Sequence, residues 1–197
     1  EELINRLGLD KNSLILLYIG DFSNPIKGFK VLIEVIKKLK GENIYLLVLG
    51  KIKDKGYEML IKKLGIKNIN FLGFQKDVSF FLRGADIFIF PTLYDAFGLT
   101  VLEAMASGTL PVVSNRKFCG AAEIIKNGEN GIIIKNPNDA EEIKSIIENL
   151  LKNRKILSIM GKKARETALN YTFEKMGENY ERVYREIIKL KNEKRSS

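Results

Sequence analysis

The feature that most restricts the fold is a set of short runs that are apolar at nearly every position. They are LILLYIG (14–20), IYLLVLG (44–50), INFLG (69–73), DIFIFP (86–91), LPVVS (110–114) and GIII (131–134). A strand with one face in water alternates apolar and polar residues. A strand without that alternation is buried on both faces, as in a parallel sheet covered by helices. The intervening segments have the other period. FKVLIEVIKKLK (29–40) places apolar residues at helical spacing with lysines on the opposite face. Residues 54–65 repeat the pattern and close at Gly65. Shorter helical stretches follow near 76–83, at 99–107 and as one turn near 121–126. The stretch from 138 to about 193 reads as helix in three pieces, with joints expected at Gly161 and at the YTF break of 171–173. The polar tail KNEKRSS is expected to fray. The class is α/β: one domain over 1–197, a Rossmann-like doubly wound parallel six-stranded sheet with extra C-terminal helices.

Composition excludes several alternatives. No apolar run approaches the roughly 20 residues that span a bilayer. The opening EELINRLGLD is a charged amphipathic segment rather than a signal peptide, and its lack of an initiator Met reads as a processed or cut-out chain. Cys119 is the one cysteine, which rules out an internal disulfide and fits a reducing cytosol. It is expected to be a small packed residue. Histidine is absent, which removes the commonest general base and metal ligand together. No metal site is expected. The net charge of +9 is compatible with nucleic acid, an anionic membrane surface or phosphorylated substrates, and equally with lysines on solvated helix faces. The lysines are dispersed and no nucleic-acid motif is present, so nucleic acid is not an expected partner.

In a doubly wound sheet, ligands bind beyond the carboxyl ends of the strands. The loop after the first strand, DFSNPIKGFK, brings Lys27 to that edge, where it can meet a phosphate as a point charge or serve as one more surface lysine. The loop after the fourth strand runs TLYDAFGLTVLEA. Gly98 before the helix allows close backbone approach, and the N–H groups of about Gly98 to Val101 are free at a helix start. Glu103 is the only charged residue between Ala96 and Asn115, in a helix that looks buried on most faces. Two partners fit it. One is local: a capping box with Thr100 as N-cap and Glu103 at N3. The other is a sugar diol, which a carboxylate holds through two adjacent hydroxyls. Spacing leaves both open.

These residues carry a resemblance. Lys27-Gly28, the block from Asp95 to Gly108 with Pro111-Val-Val behind it, FLGF (71–74), Gly120-Ala-Ala-Glu123, NGENGIII (127–134) and YTFEKMGENYERVY (171–184) resemble the donor-binding half of GT-B glycosyltransferases of family 4, the retaining group 1 enzymes. Their signature is two acidic residues with seven between them, here Asp95 and Glu103. The resemblance implies one half of a GT-B fold and an NDP-sugar donor used without metal or other cofactor. It implies Lys27 on the donor diphosphate and Asp95 on hydroxyls of the transferred sugar, as the catalytic pair. It implies that Phe97, Gly98, Leu99 and Thr100, at the loop and helix start, supply backbone N–H groups to sugar and phosphate, that Glu103 holds the ribose hydroxyls, that Gly73 and Phe74 border the base, and that Gly20, at the end of the first strand, is also donor-binding. The implied partners are the donor, an N-terminal acceptor domain outside this chain and an anionic membrane surface, at a cytoplasmic location at the inner face.

Two departures from the family pattern bear on the site. Asp21 stands where an Arg is usual, and Asp95 is one methylene shorter than the usual Glu. Glu123 could cap its short helix or touch ligand, and Phe97 is expected at a pocket edge. The aromatics Phe80, Phe81, Phe88 and Phe90 are expected in the core. The chain reads as a C-terminal half that binds donor and transfers little alone. The competing class is a non-catalytic nucleotide- or partner-binding module on the same fold. A GT-B epimerase would be expected to use histidines, which this chain lacks.

Overall fold

The structure is a computed structural model that describes residues 2–39, 41–51 and 56–196. Six parallel strands, β1 (Leu14–Ile19), β2 (Ile44–Leu49), β3 (Ile69–Gly73), β4 (Ile87–Phe90), β5 (Leu110–Ser114) and β6 (Ile132–Ile134), form one sheet in the order β3-β2-β1-β4-β5-β6. Eight helices accompany them among the described residues: α1 (Glu2–Leu7), α2 (Phe29–Lys38), α3 (Gly56–Lys63), α4 (Ser79–Gly84), α5 (Leu99–Ala106), α6 (Ala140–Lys152), α7 (Arg154–Ala168) and α8 (Phe173–Ser196). The start expected for the helix of 54–65 and the last residue of the helix of 29–40 lie outside the described residues.

The unbroken apolar strands are explained by the layers. Successive side chains point to opposite faces, and both faces are covered. Leu14, Leu16 and Tyr18 of β1 meet Leu32 and Ile36 of α2 and Ile143 and Ile147 of α6 in one core. Ile15 and Leu17 meet Phe81 and Leu82 of α4, Val101 and Met105 of α5 and Ala164 of α7 in the other. Phe81, Phe88 and Phe90 are core residues as expected, and the half-buried Phe80 packs against the second core.

The C-terminal helices divide differently from the sequence expectation. α6 begins at a cap where Asp139 accepts from the N–H groups of Glu141 and Glu142. It ends at Asn153, and α7 runs straight through Gly161. Gly161 is there for contact: a Cβ on it would lie 2.2 Å from the Gly108 carbonyl oxygen. The glycine lets α7 close on the turn between α5 and β5, and that packing outweighs its low helix propensity. The joint at 171–173 is as expected, between α7 and α8.

The strand order places the site. The chain moves outward from β1 to β2 and β3, then crosses back to lay β4 on the other side of β1. The loops leaving β1 and β4 therefore diverge at the strand carboxyl ends, where doubly wound sheets open a crevice.

Candidate functional site

The loop after β1 is built by side chains that bond their own backbone. Asp21 Oδ1 accepts from the Ser23 N–H at 3.2 Å and the Ser23 hydroxyl at 2.5 Å. Asn24 caps the 3₁₀ turn Pro25–Lys27 by accepting from the Ile26 N–H. Gly28 then takes a left-handed conformation, φ +70°, with its Cα so close to β4's exit that a Cβ would lie 1.9 Å from the Pro91 carbonyl oxygen. Only glycine satisfies both conditions. The carboxylate of Asp21, at the position of the usual Arg, serves this turn.

The result is a juxtaposition of charges. Lys27 Nζ lies 2.8 Å from Asp95 Oδ2, joining residues 68 apart in sequence, with both side chains about three-quarters buried. The Lys27 ammonium also lies 5.8 Å from the centre of the Phe90 ring. Asp95's other oxygen accepts from the Phe97 N–H at 3.2 Å. Its backbone is locked to the loop after β5, with the Asp95 N–H bonded to the Phe118 carbonyl and the Gly120 N–H to the Asp95 carbonyl. Gly120 permits this, since a Cβ would lie 2.1 Å from the Ala96 oxygen.

The start of α5 corrects one reading of Glu103. The N-cap is Gly98, φ +89°, with no side-chain cap. Thr100 is inside the first turn and Glu103 is beyond the N3 position, so there is no capping box. The Glu103 carboxylate has no hydrogen bond or ion pair among the described residues. The helix is also less covered than its composition implies. Val101, Ala104 and Met105 are buried, whereas Leu99, Glu103 and Ala106 face outward. They line an apolar groove of about 950 Å³, walled by Phe97 and Leu102 on one side and by Phe173, Met176 and Tyr180 of α8 on the other. Apolar surroundings remove part of Glu103's water and raise its carboxyl above the usual glutamate range. The N–H groups of Gly98, Leu99 and Thr100 have no acceptor among the described residues, which leaves a helix-start anion site.

Along the other arm of the edge the strands end in a glycine row. The Gly20 N–H bonds the Leu49 carbonyl and the Gly50 N–H bonds the Gly73 carbonyl. Gly50 sits where a Cβ would be 2.0 Å from the Gly20 oxygen. Gly73 has φ +71°, and Phe74 beyond it is 67% exposed with the Lys51 ammonium 5.9 Å over its ring. Among the described residues, no three His, Cys, Asp or Glu side chains converge as metal ligands.

A family model for glycosyl transferases group 1 matches residues 1–167. The chain belongs to that family. Its sheet is the Rossmann-like unit of the GT-B enzymes. This group 1 glycosyl transferase chain is 32% identical over 167 residues to the lipopolysaccharide core biosynthesis glycosyltransferase LpsE of Rhizobium meliloti, covering 83% of the chain and 48% of LpsE. The crystal structure of a Rickettsia africae glycosyltransferase superposes with a TM-score of 0.84 at 26% identity, over 95% of this chain and 51% of that one. Anabaena HepE, solved in complex with UDP-glucose, shares the fold at 23% identity, with a TM-score of 0.75 over 85% of this chain and 46% of its own. The chain spans about half the length of the curated relatives it matches.

Of the residues singled out in the sequence of this group 1 family member, Lys27, Asp95 and Phe97 are brought together by direct bonds. Glu103 joins them through the groove that Phe97 also lines. Gly20 and Gly73 are linked along the sheet edge through Leu49 and Gly50. Cys119 is buried against the Phe97 carbonyl, with its thiol pushed up by burial. Glu123 neither caps its helix nor faces the groove; it pairs with Arg116 at 2.9 Å on the surface. Sequence reading gave no site role to Thr92, which is marked only by its place after Pro91, and noted Gly120 only within the segment Gly120-Ala-Ala-Glu123.

Proposed function

We propose that this chain is the donor-binding half of a nucleotide-sugar-dependent, retaining glycosyltransferase that transfers a hexose to a cell-envelope glycan or lipid. The observation that carries the reading is the Lys27–Asp95 pair at the point where the strand order reverses, beside the unpaired N–H groups that open α5. A cation and a helix start at one crevice suit a diphosphate. A carboxylate in contact with that cation suits the hydroxyls of the sugar carried by the diphosphate. Glu103, exposed and without a protein partner, suits a ribose diol. Gly73 and Phe74 would border the base. HepE's complex with UDP-glucose on the same fold supports a nucleotide-sugar donor.

In this reading the bond from the anomeric carbon to the diphosphate oxygen breaks, the acceptor hydroxyl attacks from the face the diphosphate leaves, and its proton passes to the departing diphosphate, so configuration is retained. Lys27 and the N–H groups stabilise the charge developing on the diphosphate, a fixed electrostatic arrangement that favours the transition state. They supply that positive field themselves, so no metal is required. A second domain of the same enzyme would hold the acceptor, and without it this chain binds donor and transfers little. The naming of LpsE for lipopolysaccharide core synthesis, together with the +9 charge, supports an acceptor at the cytoplasmic face of an anionic membrane.

The test is calorimetric titration of the chain with UDP, GDP, ADP and their glucose conjugates, with and without EDTA. Selective binding to one nucleotide, unchanged by EDTA and weakened more than tenfold in Lys27→Met, is expected. Binding that requires a divalent cation, or is indifferent to Lys27, would overturn the assignment.

A further inference from the structure

Thr92, two residues past the end of β4, is completely buried. Its hydroxyl oxygen lies 3.1 Å from the Ile26 carbonyl oxygen and 2.9 Å from the Tyr94 carbonyl oxygen, and it accepts from the Tyr94 N–H at 3.3 Å. Thr109 and Ser114 are equally buried hydroxyls, and each donates to one carbonyl only. A hydroxyl has one proton to donate; that of Thr92 lies within reach of two carbonyl acceptors, one in each loop, and is shared between them. Ile26 immediately precedes Lys27, and Tyr94 immediately precedes Asp95.

The neighbouring contacts act in the same direction. The Leu93 N–H donates to the same Ile26 carbonyl at 2.7 Å. Gly28 is pressed against Pro91 on the other side of Lys27. The Tyr18 hydroxyl donates to the Lys27 carbonyl at 3.3 Å. The backbone around the ammonium is therefore tied at Ile26, Lys27 and Gly28, and Thr92 adds a buried hydroxyl within reach of a carbonyl in each loop.

We propose that Thr92 is a positioning residue that sets the relative placement of Lys27 and Asp95, and through them the reading of the diphosphate and the transferred sugar, while the base and ribose contacts are independent of it. The inference rests on the donor-site reading above. A valine at 92 keeps the shape and removes the hydroxyl, which leaves the Ile26 carbonyl to the Leu93 N–H alone and the Tyr94 carbonyl without its hydroxyl donor, and lets the two loops shift against each other. Binding terms that need both charged groups in place should fall together. Terms made by Glu103 and by Gly73 and Phe74 should not.

The experiment compares wild type, Thr92→Val and Thr92→Ser against the preferred nucleotide-sugar by calorimetry, and against the matching nucleoside by NMR titration. The valine variant is expected to lose about tenfold in affinity for the nucleotide-sugar, as for one or two lost hydrogen bonds. Nucleoside affinity should stay within about twofold, and serine should restore wild-type values. Equal nucleotide-sugar affinity in valine and wild type, or parallel weakening toward nucleoside and nucleotide-sugar, would overturn the inference while leaving the donor site intact. Should the valine variant not fold, Thr92→Ser decides: it keeps the hydroxyl, so a serine variant that has lost its preference for the nucleotide-sugar over the nucleoside overturns the proposal. A wild-type chain that binds neither ligand overturns the donor reading itself, and this inference with it.

Discussion

The Glu103 carboxylate is held without a protein partner in apolar surroundings, and this gives it one pH dependence in folding and the opposite one in the binding proposed for it. Its carboxyl is raised by desolvation above the ordinary 4.5. The stability associated with it is therefore fully present below that value and is lost as pH rises through the raised folded value. On the proposed donor reading, ribose binding would run the other way, since the ionised carboxylate would accept hydrogen bonds from both hydroxyls and lose one acceptor as a proton is added. Glu103→Gln should thus lower nucleotide affinity by about tenfold or more while leaving the melting temperature unchanged or slightly higher. A pair of melts and titrations at pH 5 and pH 8 checks both; a fall in thermal stability would mean that the charge has a structural partner. At this scale the sequence showed which residue types matter and not their geometry. Lys27 and Asp95 stand out by type, but their contact spans 68 residues and depends on β4 lying beside β1. Glu103 was misread as enclosed because Leu99, Leu102 and Ala106 are apolar, and apolar side chains that line a groove look in sequence like those that line a core.

The elements themselves were largely legible, because period and apolar continuity survive in a single sequence. What failed was punctuation. Gly161 reads as a break, since glycine is a poor helix former, yet tertiary contact makes it necessary inside α7. Gly161→Ala would improve local propensity and should still destabilise the domain by about 1–3 kcal/mol through overpacking against Gly108. At this chain length that is about 2–4 °C in melting temperature per kcal/mol, readable in a thermal melt. An unchanged or higher melting point would show that α5 and α7 can separate at no cost. The real joint at Asn153 carries no glycine or proline, and so gave the pattern nothing to detect.

At the scale of the whole molecule the layered class was readable, whereas strand order was not, because six interchangeable apolar runs do not say which is central. α8 stands apart from the layers. Its described side chains from Phe173 to Asn192 are exposed, and Phe173 is 85% accessible. Ending the chain at Tyr171 removes no core side chain, so the melting temperature should move by less than about 2 °C; a larger drop would show that the wall α8 gives to the groove stabilises the domain. Among the described residues no helix is long and apolar enough to cross a membrane.

The central seam of the sheet carries a consequence of a different kind. β1 and β4 meet through only two registered pairs, Leu16 with Ile87 and Leu17 with Phe88. Above them sit the two loops tied through Lys27 and Asp95. A partly folded chain containing β1 to β3 holds the lysine without its carboxylate, so no ligand can recognise it until the returning strand has docked. A nucleotide-sugar would then arrive too late to speed folding. It would span the joint between β1 and β4, slowing unfolding and the amide exchange of β1 and β4 more than that of the outer strands.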